Sequence, residues 1–248
     1  MSGPYRAVTL DESTQLLNMS YRLRYQSFCL ERLFFSKDEY PTQLESDAFD
    51  GVSVHVGVLD PYDELVGTAR IVKPSLAGLP LLRHCTLFPH ETTLIDPGNR
   101  VVELSRVCIR HRANHALAAL PGHDGAAAGL PAPARAMGHG SSDPFAALVK
   151  GVYQVTKRLR VTHWIIAVER ALWRRTSRYG LPFRPAGPEA DYFGPVVPYV
   201  LNLAELDDMI SSGQHPMLAD LRVGLEREFW PAPAPVRRIL SRQPALVS

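Results

Sequence analysis

Val101-Val102-Glu103-Leu104-Ser105-Arg106-Val107-Cys108-Ile109 reads as a strand. Its apolar positions are those of a strand covered on both faces, yet three polar side chains sit in its middle. An unpaired charge buried there costs roughly several kcal/mol. The stretch therefore either lines a site or runs along an edge with its charges in water. Strand alternation places Glu103 and Ser105 on one face and Arg106 on the other. Arg106 then does not neutralise Glu103 across a shared face. A carboxylate beside a hydroxyl in a cleft suits the acceptance of a proton from an incoming amine.

Outward from this strand the pattern gives a mixed sheet. Upstream, Val52 to Leu59 and Leu65 to Lys73 are two strands joined by the turn residues Asp60-Pro61-Tyr62-Asp63, an antiparallel hairpin. Before them the sequence predicts a polar N-terminus to about Asp11. A helix with one break follows from Glu12 to Leu33, then an aromatic and acidic stretch to Pro41, which does not fit a helix interior. Downstream, residues 113–143 are rich in Ala, Gly, Pro and His and read as a flexible insertion. Asp143-Pro144 is a helix start, and the helix runs to about Arg160. Val161 to Val168 is a strand, and Glu169 to Tyr179 a helix closed by Gly180. Val196 to Leu203 is a further strand. Two short helices near 204–211 and 216–229 precede a Pro-rich tail at 231–248. Hairpin strands come first and helix-linked strands second, the order of one α/β (α+β) domain over about residues 1–230, with helices on both faces of a mixed sheet.

Bulk properties exclude several classes. The formal net charge of +2 over 248 residues is too small to argue for nucleic-acid binding, so no nucleic-acid partner is expected. No apolar run reaches the length of a membrane span and no signal-peptide core opens the chain, so a soluble, cytoplasmic protein is expected. Three cysteines, Cys29, Cys85 and Cys108, suit free thiols in a reducing compartment. Cys108, His111 and His115 have ligand types at suggestive spacing, but no C-x-x-C accompanies them and no metal site is assigned.

The motifs then bring a family into view. Tyr21-Arg22-Leu23-Arg24-Tyr25-Gln26-Ser27-Phe28 resembles the R-x-x-x-F element of the acyl-homoserine-lactone synthases. Glu45-x-Asp47-x-x-Asp50 is similar to their acidic loop, Gly67-Thr68-Ala69-Arg70 to their G-x-x-R, and Glu103-Leu104-Ser105-Arg106 to their E-x-S-R strand. His163-Trp164-Ile165-Ile166-Ala167-Val168-Glu169 and Tyr179-Gly180-Leu181-Pro182-Phe183 resemble the long-chain N-acyl amino acid synthases and the exosortase-associated acyltransferases. The resemblance implies a GNAT-like acyltransferase fold and a bacterial enzyme. It would move a fatty acyl group from an acyl-carrier-protein or CoA thioester to a small amine, such as an amino acid, with no bound cofactor. Phe34-Phe35 stands where autoinducer synthases carry a Trp, which argues against a sulfonium-bearing acceptor.

The roles follow from what amide formation needs. The amine must lose a proton, the oxyanion needs donors, and orientation contributes roughly 7–11 kcal/mol. Glu103 is the expected base, with Ser105 positioning it or meeting the thioester, and backbone N–H groups where the strand splays as oxyanion donors. Arg24, Arg70 and Arg106 either clamp an acceptor carboxylate or pair with Asp47 and Asp50. Phe28 lines the core or the acyl pocket. Tyr192 is a candidate acid for the leaving thiol. The pyrophosphate loop of CoA-using relatives is missing, so a carrier protein is the expected donor. Arg110, Arg112, Lys150, Lys157, Arg158 and Arg160 form its expected docking patch. Two other readings stand beside this one: a non-catalytic module that binds acyl thioesters or carrier protein, and a homoserine-lactone synthase proper.

Overall fold

The computed structural model describes residues 5–96, 98–110 and 141–231. Most of the proposed insertion and the Pro-rich tail lie outside these residues. Eight strands form the sheet: β1 (Arg6–Thr9), β2 (Ser53–Leu59), β3 (Leu65–Val72), β4 (Val101–Ile109), β5 (His163–Val168), β6 (Arg184–Pro185), β7 (Ala190–Asp191) and β8 (Pro195–Asn202). Their order is β1-β2-β3-β4-β5-β8-β6, with β7 paired to β8. Among the described residues only β4 and β5 run parallel. The helices are α1 (Thr14–Tyr25), α2 (Pro144–Arg158), α3 (Arg170–Arg178), α4 (Leu203–Ser212) and the single turn α5 (Pro216–Ala219). Among them no helix is long and apolar enough to cross a membrane.

Local chemistry sets the helix ends. Ser13 caps α1 by accepting from Leu16 N–H, and Asp143 caps α2 by accepting from Phe145 N–H, with Pro144 at the first helical position. Asn202 caps α4, which ends on Gly213 at φ 66°. α1 continues into a π-helical turn, Gln26–Glu31, the break foreseen in the helix. On one face of the sheet, α1 packs Leu16 and Leu23 against Val8, Leu59 and Leu65. On the other, α2 and α4 bring Leu148, Val152, Leu206 and Ile210 onto Val56, Ile71, Val102 and Trp164. Trp164 is buried and donates from its ring N–H to Thr156 Oγ1 at 3.1 Å, which settles the core role of the His163-Trp164 pair for the tryptophan.

Three expectations are corrected. The N-terminus forms an edge strand, β1, paired antiparallel to β2. The segment after Pro216 is α5 followed by 3-10 turns at Asp220–Arg222 and Arg227–Phe229, with Gly224, at φ 89°, between the two turns. Arg106 does not face away from Ser105. Arg106 sits at φ 52°, and the β3–β4 register slips between Thr68 and Arg70. This β-bulge sends two successive side chains to one face. Val102, Leu104, Val107 and Ile109 contact the α2 side, whereas Val101 and Cys108 contact the opposite clusters.

One glycine fixes the segment over β4. A Cβ on Gly187 would lie 2.0 Å from the Thr86 carbonyl oxygen and 2.8 Å from Pro198 Cγ. The neighbouring Phe88 N–H donates to Ala186 O at 2.8 Å, so the two segments are held together here. Gly187→Ala is expected to cost about 1–3 kcal/mol by overpacking, read as a lowered thermal midpoint, since the clash is with backbone that has no rotamer to change.

Candidate active site at the divergence of β4 and β5

β4 and β5 pair only at Val101–His163, Val102–Trp164 and Glu103–Ile165. Beyond Glu103 the strands part, leaving a gap between Leu104–Ile109 and Ile166–Val168. Glu103 stands at its edge, 2% exposed. Leu81 N–H, in the 3-10 turn Pro80–Arg83, donates to its Oε2 at 2.8 Å. Burial raises the Glu103 pKa to about 7, against the Leu81 N–H and the fields of Arg70 and Arg106. A carboxylate poised there changes protonation state near neutrality, as a general base requires.

Beside Glu103 lies an ionic network built from α1, the Glu45–Asp50 segment, β2, β3, β4 and the turn at Asp11. Arg24, from α1, donates from Nε to Glu45 Oε2 at 2.6 Å and from both terminal nitrogens to Asp50, at 2.7 and 3.1 Å. Asp50 also accepts Asp47 N–H at 2.7 Å, Arg70 Nη1 at 3.1 Å and a bond with His55 Nε2 at 3.0 Å. Asp11 holds the other His55 ring nitrogen at 2.7 Å. Arg70 gives Nη1 to Asp47 at 2.6 Å and Nε to Ser105 Oγ at 3.1 Å. Arg106 gives Nε to Glu45 Oε1 at 3.0 Å and Nη2 to Asp47 at 3.0 Å. Burial alone would raise the Asp50 pKa. Hydrogen bonds from His55 and Arg24, with the fields of Arg24 and Arg70, outweigh burial and hold Asp50 well below the usual carboxylate range. Burial would lower the His55 pKa, but its bonds to Asp11 and Asp50 raise it.

The network brings together Arg24, Asp47, Asp50, Arg70, Ser105 and Arg106, the residues singled out from the sequence. Phe28 is buried beside it, with the Arg106 guanidinium 6.0 Å from its ring centre. Arg70 Nη2 is buried and has no hydrogen-bond partner. The pairing of the arginines with aspartates is thus present, and it leaves this one donor over. Glu45, fully buried, joins Arg24 to Arg106, and His55 joins Asp11 to Asp50. The sequence reading assigned neither residue a role, although Glu45 opens the quoted acidic motif and His55 is a histidine within an apolar strand.

An aromatic wall closes this side. Tyr192 stacks on His84 at 4.2 Å, Phe193 meets Tyr192 at 5.0 Å and Phe35 at 4.7 Å, and Arg106 lies 4.6 Å over Phe35. Burial and the Glu103 charge raise the Tyr192 pKa, opposed by the field of Arg106 and a hydrogen bond with it. On the opposite face of the sheet, Leu104, Val107, Leu148, Ile166, Val168 and Leu172 line an apolar cavity of about 60 Å³. Leu104 and Val107 of β4 and Ile166 and Val168 of β5, on the two sides of the gap, are among the cavity's lining residues.

Of the expected carrier-protein patch, Lys150 is the residue that the structure removes. Lys150 is 2% exposed and bonds Asp220 at 3.2 Å, so it presents no charge to a partner. Lys157 pairs with Asp207 at 2.5 Å, Arg158 with Glu226 at 3.0 Å and Arg110 with Glu64 at 3.3 Å. Arg160 lies 6.0 Å from the Phe229 ring. Arg112, His111 and His115 lie outside the described residues. Lys150 is withdrawn from the patch because the turn at Asp220–Arg222 covers that face of α2.

Compared with known proteins, residues 23–120 match the Acetyltransferase (GNAT) domain family. No curated protein sequence matches the chain. Among solved structures it is similar to FeeM, an N-acyl amino acid synthase from uncultured soil microbes, at 16% identity and TM-score 0.51, covering 82% of this chain and 93% of that one. The acyl-homoserine-lactone synthase LasI is similar at 16% identity and TM-score 0.52, over 80% and 89%. The CoA-dependent acyl-homoserine lactone synthase BjaI, solved with SAM and isopentyl-CoA, is similar at 17% identity and TM-score 0.54, over 93% and 92%. These likenesses establish a GNAT-like fold, the mixed sheet with helices on both faces that the sequence implied.

Proposed function

We propose that this chain is an N-acyltransferase that moves an acyl group from a phosphopantetheine thioester, on acyl carrier protein or CoA, to the amine of an amino acid. The observation that carries the reading is Glu103, a buried carboxyl with its pKa at about 7, at the edge of the gap between β4 and β5. The thioester carbonyl lies in the gap with the first carbons of its acyl chain in the apolar cavity, and the amine approaches from the side of Glu103. Glu103 takes the amine proton as the C–N bond forms. The tetrahedral intermediate collapses with loss of the C–S bond, and the thiolate leaves with a proton. Tyr192, kept protonated at neutral pH by its raised pKa, is the candidate donor of that proton. Arg70 Nη2 is a buried donor that nothing else uses, open to the acceptor's carboxylate only if the network parts locally. The names of the similar structures, an N-acyl amino acid synthase and a CoA-dependent synthase, agree with this class of reaction.

Thiol release from acyl-carrier-protein and acyl-CoA donors, followed with and without a pool of amino acids, tests the reading. Amine-dependent release supports it. Release that ignores the amine, or tight donor binding with no release, replaces it with a hydrolase or a binding module. The cavity makes a separate prediction. Val107→Phe fills the wall beside the gap and is expected to shift the preferred donor to shorter chains. Each methylene it excludes forfeits about 0.8 kcal/mol of burial. An unchanged chain-length profile, measured as kcat/KM across acyl donors, would place the acyl chain elsewhere.

A further inference from the structure

Arginines and exposed apolar side chains share one surface near the start of β5. Arg160 follows α2, shortly before β5 begins at His163, whereas the gap opens past Ile165. The Arg160 guanidinium lies 6.0 Å from the Phe229 ring centre, and those of Arg222 and Arg227 lie 5.4 and 5.9 Å from the Trp230 ring centre. Trp230 is 41% exposed, and Leu159, beside Arg160, is 38% exposed. The indole N–H donates to Leu225 O at 2.8 Å. Its polar end is thus satisfied within the chain, and what the side chain offers outward is apolar ring.

The charge of this surface is one-sided because the acids around it are already paired. Asp220 meets Lys150 at 3.2 Å, Glu226 meets Arg158 at 3.0 Å and Asp207 meets Lys157 at 2.5 Å. That leaves Glu228 as the carboxylate after Pro216 without an ion pair among the described residues, where Arg160, Arg222 and Arg227 form none either. Beyond Glu228 the sequence adds Arg237, Arg238 and Arg242 and no Asp or Glu, with Val236, Ile239 and Leu240 among these arginines. A segment of the same sign does not neutralise the surface, and neither does the same surface of a second copy. A nucleic acid would answer the arginines but would leave Leu159 and the aliphatic residues of 236–240 without an apolar partner. Anionic headgroups over hydrocarbon answer both kinds of side chain.

We propose that Leu159, Arg160, Arg222, Arg227, Phe229 and Trp230 form a surface by which the protein lies against an anionic lipid bilayer. The arginines meet headgroup phosphates, and the Trp230 ring and Leu159 enter the headgroup boundary. The contact is peripheral, in keeping with the lack of a membrane-spanning helix among the described residues. It does not rest on the acyltransferase reading, and it uses none of the residues placed around Glu103.

The test is flotation of the full chain with vesicles of phosphatidylcholine alone and of equimolar phosphatidylcholine and phosphatidylglycerol. The parent should float with the anionic vesicles, stay behind with the neutral ones, and be released as salt is raised. Reversing the two exposed arginines, Arg160→Glu with Arg227→Glu, should weaken the partition constant at least about tenfold. Arg160→Lys with Arg227→Lys, which keeps the charge, should restore it. Fluorescence gives a second readout that does not need the charge-reversed protein to fold. Trp164 and Trp173 pack in the core, so a blue shift of the parent's emission on anionic vesicles, lost in Trp230→Phe, reports entry of the Trp230 ring. Equal binding to both vesicles, or no binding by the parent, overturns the proposal. So does a partition constant that the reversed pair leaves unchanged. Duplex DNA or acyl carrier protein bound through the same arginines while anionic vesicles are ignored would give the surface to that partner instead.

Discussion

The Glu103→Gln protein is expected to lose about 10²–10⁴-fold in kcat for N-acyl transfer while unfolding at the same temperature as the parent, or higher, above neutral pH. Glutamine keeps an oxygen for Leu81 N–H but cannot take a proton from the amine. The stability half follows from the same burial. The folded chain holds the Glu103 proton up to about pH 7, whereas the unfolded chain releases it near the ordinary value of 4.5. A carboxyl raised on folding contributes most below its unfolded pKa and loses that contribution as pH rises to the folded one, here about 3 kcal/mol across the interval. Glutamine has no such loss. His55 acts in the same direction at higher pH. Its folded pKa is raised, so its contribution is present below about 6.5, the unfolded value, and fades as pH rises through the folded one. The parent is therefore expected to be most stable on the acid side of neutrality and most active above pH 7, where Glu103 is ionised. Thermal midpoints and kcat/KM measured across pH check both halves. A variant that loses stability in proportion to activity would make Glu103 a structural residue.

Arg24→Ala carries the second large effect. It leaves Glu45, fully buried, with one cationic partner in Arg106 and deprives Asp50 of a two-pronged bond. Removing one partner from a buried ion pair costs about 3–5 kcal/mol, because the remaining charge stays out of water. Urea midpoints measure this directly. Should the protein fail to fold, Asp47→Asn serves in its place. Asp47 is 28% exposed and bonds Arg70 and Arg106 at the solvent side of the network. Its loss should cost less stability while disordering the two arginines that face Glu103. If Arg24→Ala lowers stability by less than about 1 kcal/mol, the network is not what holds α1 to the acidic segment and the sheet.

The sequence shows much of this, and its failures have physical causes. The strand over Val101–Ile109, the hairpin before it and the helix begun by Asp143-Pro144 are written in side-chain periodicity and in cap and turn residues. β1 is not: Ala7 and Val8 are both buried, so a four-residue edge strand has no alternation to read. The bulge at Arg106 adds one residue to a strand, which alternation alone assigns to the wrong face. The burial of Lys150 depends on the turn at Asp220–Arg222 packing on a second face of α2, where Gln154 also donates to Leu221 O at 3.1 Å and Val223 O at 3.0 Å. Helical periodicity gives the stripe that meets the sheet and says nothing of a second cover supplied by a distant segment. The site residues gathered as expected because each lies near a regular element with a readable register. The aromatic wall from His84, Tyr192 and Phe193 comes from loops, and only the fold brings it to Glu103.

The most direct test of Glu103 as proton acceptor is a mass spectrum. The full chain and its Glu103→Gln variant are incubated with acyl carrier protein and acyl-CoA donors and a pool of amino acids at pH 8, where the carboxyl is ionised. The account predicts an N-acyl amino acid from the parent and at least about a hundredfold less from the variant. Equal yields of the same product from both would contradict it.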